Sequence, residues 1–179
     1  SYPLVLKQPD SAFSRGVIKV ENRAELEKAT KQLFKTSDLI IVQQYLYSEF
    51  DWRIGVLDQS PLFACKYFMA RDHWQIYKWG AQSDSMGDAE TVPIDVVPEK
   101  VLKTAVKAAS LMGDGLYGVD LKLVNGKVYL IEVNDNPNID YGIEDEVLKE
   151  ELYEKIMLSI YNRIEMSRNI ARFVSVEPD

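Results

Sequence analysis

Gly118-Val119-Asp120-Leu121-Lys122-Leu123-Val124-Asn125-Gly126-Lys127-Val128-Tyr129-Leu130-Ile131-Glu132-Val133-Asn134 is the stretch that decides how this chain folds. Two alternating apolar runs flank an Asn-Gly turn signal, the pattern of a β-hairpin. A two-residue loop at Asn125-Gly126 pairs Val124 with Lys127, sets Asp120 opposite Ile131 and leaves it on the wrong face from Glu132. A three-residue loop, Val124-Asn125-Gly126 with Gly126 left-handed as a bulge, pairs Leu123 with Lys127 and Asp120 with Leu130. That register gathers Val119, Leu121, Leu123, Tyr129, Ile131 and Val133 on one face. Asp120, Glu132 and Asn134 then share the other, because strand side chains repeat every second residue. The sequence therefore predicts the bulged, three-residue turn.

Two carboxylates and a carboxamide on one sheet face make a set of hard oxygen ligands. Mg²⁺ takes one or two carboxylates and completes its octahedron with phosphate oxygens and water. A solvated polar face of an antiparallel hairpin is the competing account. The tail Asn134-Asp135-Asn136-Pro137-Asn138-Ile139-Asp140, nearly all oxygen and amide, favours a ligand site over a plain turn.

The pattern Gly-Val-Asp-Leu, a short hairpin, then Ile-Glu-Val-Asn-Asp-Asn-Pro resembles the metal-binding core of the ATP-grasp ligases, and most of all their RimK-like branch. The resemblance covers roughly residues 3 to 166. It implies an α+β ATP-grasp fold, with a small lobe at 3–45, a larger antiparallel-sheet lobe with flanking helices at 46–170, the nucleotide between them, and a loose tail at 171–179. It also implies ATP as nucleotide and Mg²⁺, with Mn²⁺ as a substitute, held by Asp120, Glu132 and Asn134. Lys7 and the following loop resemble the family's phosphate clamp. The loop Asp10-Ser11-Ala12-Phe13-Ser14-Arg15-Gly16 has fewer glycines than the family's, leaving Ser11, Ser14 and Arg15 as alternative donors. Gln44, Tyr45 and Leu46 fall where the family reads adenine, with Gln44 in place of a glutamate. An amide still accepts from the adenine amino group. Asp51 matches the acidic residue near the ribose, and Arg53 and Lys66 match basic positions facing phosphate or the reacting carboxylate. A cation on a strand inside an apolar sheet needs an anion, which a triphosphate or an internal Asp or Glu supplies equally well.

Composition bounds the rest. At 179 residues the chain is one domain or two small lobes with length for a real core. The longest apolar runs are too short to cross a membrane. A lone Cys65 offers no intrachain disulfide, so a cytoplasmic setting is expected. A net charge of -7 argues against nucleic acid bound through its backbone. The opening Ser1-Tyr2-Pro3 is expected to belong to a longer protein, inactive without a preceding region.

Along the chain, residues 3–20 read as strand, loop, strand. Asn22 caps a helix with Glu25 in a capping box and Leu26, Ala29, Leu33 and Phe34 at helical spacing. Leu39-Ile40-Ile41-Val42 is a short buried strand, and 51–57 and 61–69 are two more around a turn at 58–60. His73 draws no role, and 78–91 reads as a polar loop of the kind often used as a lid. Pro98 opens a helix that ends at Gly113-Asp114-Gly115, and a last helix is expected from about Glu144 to Arg168.

The reading is an ATP- and Mg²⁺-dependent carboxylate–amine ligase working through an acyl phosphate, with catalytic Arg53 and Lys66. Its donor and acceptor, an amino acid, peptide or protein end, are unnamed by the sequence. Two other readings stand beside it: a nucleotide-binding regulatory module without ligation, and a carboxylate–thiol ligase.

Overall fold

The computed structural model describes residues 1–9, 16–78 and 85–174. Its elements in order are β1 (Leu4–Lys7), β2 (Val17–Val20), α1 (Arg23–Leu33), β3 (Ile41–Gln44), β4 (Phe50–Leu57), β5 (Ser60–Phe68), β6 (Tyr77–Lys78), β7 (Ser85–Met86) and β8 (Ala89–Val92). After these come α2 (Glu99–Ser110), β9 (Leu116–Val124), β10 (Lys127–Asn134) and α3 (Glu150–Val174). The chain forms two compact units, Ser1–Glu49 with Phe68–Asp88, and Phe50–Tyr67 with Ala89–Asp179. Among the described residues no helix is long and apolar enough to cross a membrane.

The first unit is built on an antiparallel sheet in the order β2-β1-β3. Leu6 and Val20 pack with Ala29 and Leu33 of α1, the apolar stripe that helical spacing predicts. Asn22 Oδ1 accepts from the Glu25 amide at 3.0 Å. The Glu25 carboxylate accepts from the Glu21 amide at 2.8 Å, one residue beyond the N-cap amide that a strict capping box uses. Phe34 is exposed rather than part of the core, because α1 stops at Leu33. The strand expected at 39–42 runs instead over Ile41–Gln44. With β1 on one side only it is an edge, and Ile41 and Val42 are exposed rather than buried. Residues 68–88 group here through a Met69 amide to Glu49 carbonyl bond and an edge-on contact of Tyr45 with Trp74 at 5.9 Å. The division by continuous stretches, 3–45 and 46–170, does not carry this segment.

The second unit is a five-stranded antiparallel sheet in the order β10-β9-β4-β5-β8. One face carries Trp52, Ile54, Val56, Ala64, Val92, Val119 and Leu121 against Val101, Ala105, Ala108 and Ala109 of α2. Burying these side chains stabilises the unit by about 1.5–3 kcal/mol for each large aliphatic one. The end of the stretch read as loop, residues 89–91, belongs with Val92 to the edge strand β8. It owes its state to pairing with β5, as in Cys65–Thr91 and Lys66–Glu90, and residues 79–84 of that loop lie outside the described residues.

The central hairpin is closed differently from the sequence expectation. Val124 pairs with Lys127, so the loop is the two residues Asn125 and Gly126, at φ 49° and 75°. Both are left-handed, the turn whose twist suits a two-residue hairpin and which Asn-Gly accepts at least cost. The extra residue sits mid-strand instead. Pairing runs Leu130–Leu121 and then Glu132–Asp120, with Ile131 as the bulge. Before the bulge the phase is reversed, so Val128 packs on the core in place of Tyr129, which is exposed. After it the expected phase returns, and Asp120–Glu132 and Gly118–Asn134 are cross-strand pairs.

The last helix begins at Glu150, not Glu144. Glu144 and Asp145 are used before it, accepting from the amides of Asp140 and Gly142. Lys149, at φ 53°, separates those turns from the helix. Leu152 is fully buried, whereas Ile160 and Ile164 are nearly half exposed. Arg163 ties α3 down by donating to Asp58 and, at 2.9 Å, to Asp114. The helix continues to Val174, into the stretch expected as tail, and 175–179 lie outside the described residues.

Candidate functional site

The sheet face of the second unit opposite α2 carries alternating polar residues from three strands. On β4 these are Asp51 and Arg53. On β9 they are Gly118, Asp120 and Lys122, and on β10 Glu132 and Asn134. The pairing Arg53–Asp120–Glu132 forms a row across the sheet, since residues opposite one another project to the same side.

Arg53 makes a two-pronged pair with Asp120, through Nε to Oδ1 and through Nη2 to Oδ2 at 2.9 Å. Asn134 Nδ2 adds a bond to Asp120 Oδ2 at 3.3 Å. One row along, Lys122 pairs with Asp51, and all four charged side chains are about one-seventh exposed. Burial raises the Asp120 carboxyl above the ordinary carboxylate range; Arg53 works against that rise, and the charges of Glu132 and Asp51 add to it. Burial disfavours the Arg53 cation, but Asp120 outweighs it and holds the guanidinium charged. Glu132 is exposed.

These residues fit a divalent cation. Asp120, Glu132 and Asn134 offer only hard oxygen donors, from one face. Among the described residues there is no group of three or more His, Cys, Asp or Glu suited to a metal, but Mg²⁺ needs only one or two carboxylates. A buried carboxyl raised by desolvation and by like charges is also a group that a cation favours in its ionised form.

The loop after β10 folds onto the same face. Asn138 Oδ1 accepts from Arg53 Nη1 at 3.2 Å. Tyr67, on β5, lays its ring 5.6 Å from the Arg53 guanidinium carbon. Glu144, wholly buried, accepts from the Tyr67 hydroxyl and from the Asp140 amide at 2.7 Å.

Of the residues expected at a site, Arg53, Asp51, Asp120, Glu132 and Asn134 share this face. Lys66 does not. On β5 it has the parity of Ala64, the α2 side, with Nζ bonded to Glu90 at 2.9 Å and lying 5.6 Å from the Phe50 ring. In the first unit, Lys7 ends β1 opposite Val17 and Ile41, and Gln44 ends β3 opposite Leu4. Tyr45 donates its amide to the Pro3 carbonyl and stacks under Lys19 Nζ at 4.7 Å, with Leu46 following. Ser11 and Ser14 lie outside the described residues. Sequence reasoning passed over Lys122, Tyr67 and Glu144 as site residues, and reached Asn138 only as part of the polar tail. Strand parity could have found Lys122, two residues from Asp120.

Residues 1–141 match the family described as D-ala D-ala ligase C-terminus. A D-alanine--D-alanine ligase of Pediococcus pentosaceus is 28% identical over 141 residues, covering 77% of this chain and 40% of the relative. A protein named probable alpha-L-glutamate ligase 1, from Shewanella denitrificans, is 28% identical over 150 residues, covering 83% of this chain and 48% of the relative. The chain thus spans about half the length, or less, of these two relatives. The D-alanine--D-alanine ligase of Bacillus anthracis, solved with ATP, superposes with a TM-score of 0.64 at 18% identity over 92% of this chain and 53% of that one. The fold is the α+β ATP-grasp fold that the hairpin motif implied.

Proposed function

Because the chain belongs to the D-ala D-ala ligase C-terminus family, we propose that it is the nucleotide- and cation-binding part of an ATP-dependent carboxylate–amine ligase of the RimK-like branch. What carries this reading is the row Arg53–Asp120–Glu132 with Asn134 beside it, an arginine and a cation-binding oxygen set on one sheet face. The two named relative types, D-alanine and glutamate ligases, support joining an amino acid to an amine; the glutamate ligase, with Gly-Val-Asp here, supports the branch.

In the proposed reaction a substrate carboxylate oxygen attacks the terminal phosphorus of ATP, the bridging P–O bond breaks, and ADP leaves. An amine then attacks the acyl carbon, the C–O bond to phosphate breaks, and the amine gives up a proton. Asp120, Glu132 and Asn134 would hold Mg²⁺, which supplies charge neutralisation of the phosphates. Arg53 offers a fixed guanidinium to charge developing on the transferring group. Asp51 is assigned to the ribose, and Lys7, Gln44, Tyr45 and Leu46 to phosphate and adenine. Lys66 keeps at most a minor place, since it faces α2.

The test supplies the whole protein with Mg-ATP and candidate amino acids and peptides, and identifies products by mass. An amide product with stoichiometric ADP is expected. Glu132→Gln, at an exposed position, is expected to lose Mg²⁺-dependent ATP binding by about tenfold with its unfolding midpoint unchanged. ATP bound without ADP release under any amine would favour a regulatory module instead.

A further inference from the structure

Arg53 is restrained on several sides, and of the residues it bonds only Asp120 belongs to the proposed cation-binding set, with Glu132 acting on it through charge. A carboxylate that also serves a cation cannot be the sole anchor of an arginine, so the other restraints matter. Asn138 Oδ1 receives Nη1 at 3.2 Å, and the Tyr67 ring lies 5.6 Å from Cζ. Gly118 leaves open the space beside the shaft, where an added Cβ would stand 3.2 Å from Arg53 Cδ.

Asn138 and Tyr67 converge on one group. Glu144 is wholly buried, a costly place for a carboxylate unless its oxygens are bonded. One oxygen accepts from the Tyr67 hydroxyl and from Asn138 Nδ2 at 3.5 Å, and the other from the Asp140 amide at 2.7 Å. Burial and the adjoining Glu144 hold the Tyr67 proton well beyond the ordinary phenol range, so the hydroxyl remains the donor.

We infer that Glu144 and Tyr67 are positioning residues for Arg53, fixing its guanidinium from the side away from Asp120 so that its aim does not depend on that carboxylate. The inference rests on the ligase reading for its effect on turnover, and on geometry alone for its effect on Arg53.

The experiment follows the Arg53 Nε–Hε signal in the whole protein labelled with ¹⁵N-arginine, identified by its loss in Arg53→Lys, together with kcat and KM for ATP. Tyr67→Phe and Asn138→Ala are the primary variants, since Glu144→Gln risks the fold. Both are expected to speed solvent exchange of the Arg53 signal by about tenfold. Both are expected to lower kcat about tenfold with KM for ATP within about twofold. An unchanged signal and unchanged kcat in both variants would overturn the inference. If Glu132→Gln still weakens Mg²⁺-dependent ATP binding by about tenfold in that case, the ligase reading stands without it. If the signal responds but the native protein makes no ADP with any amine, the positioning stands and the ligase reading falls.

Discussion

Gly118→Ala subjects the packing beneath Arg53 to a direct test. The added Cβ would lie 2.7 Å from Pro137 Cβ, 3.2 Å from Arg53 Cδ and 3.6 Å from its Nε. Carbon atoms rest at about 3.5–4.0 Å, so the new methyl is short by roughly 1 Å against a proline ring that cannot rotate aside. Overpacking of this kind costs about 1–3 kcal/mol. The shaft of Arg53 must also shift, which loosens its pair with Asp120, so the upper half of that range is expected. The assay is urea unfolding of the native protein, Gly118→Ala, Pro137→Gly and the double variant. Pro137→Gly removes the clashing carbon, so the double variant should cost less than the two single changes together, with a coupling of about 1 kcal/mol or more. Gly118→Ala within about 0.5 kcal/mol of the native protein, or strict additivity in the cycle, would refute the close approach.

Two further outcomes follow from the charges. Burial is the largest single influence on Asp58 and raises it, but hydrogen bonds from Arg163 and Ser159 with the Arg163 charge together bring it below the ordinary carboxyl value, and the hydrogen bond and charge of Arg163 lower Asp114 likewise. A folded-state pKa below the unfolded one gives stability that is complete above the unfolded value and is lost as pH falls through the folded values. Unfolding midpoints at low salt should therefore drop more steeply below about pH 4 in the native protein than in Arg163→Met, and parallel acid limbs would remove Arg163 from that role. Arg53→Met should lose ATP turnover by about a hundredfold while Lys66→Met stays within about threefold, because the two side chains leave opposite faces of the sheet; equal losses in a coupled ADP assay would contradict this.

The sequence made the oxygen cluster legible because parity along two short strands is a strong constraint. Asp120, Glu132 and Asn134 can share a face only if one extra residue enters the hairpin, and the sequence points to the turn as its place. Nothing in Leu130-Ile131-Glu132 announces a mid-strand bulge, whereas Asn-Gly announces a turn loudly. The face taken by Lys66 was hidden for a related reason. Residues 62–65 are apolar on both faces of β5, so no alternation revealed which side the lysine takes. Tyr67 and Glu144 are far apart in the chain, and only the folded loop brings them together. α3 starts later than the sequence suggests because Glu144 and Asp145, which look like a helix's acidic first turn, accept from loop amides instead.

The bulge at Ile131 has a bearing on how this hairpin can vary. It breaks the ribbon into a distal segment beside the turn and a proximal segment bearing the acids, each with its own alternation. Deleting Ile131 with the two-residue tip unchanged would return the strand to unbroken pairing, Glu132 still opposite Asp120. The turn and the acid-bearing segment are thus uncoupled in phase, and a change in one need not rotate the side chains of the other.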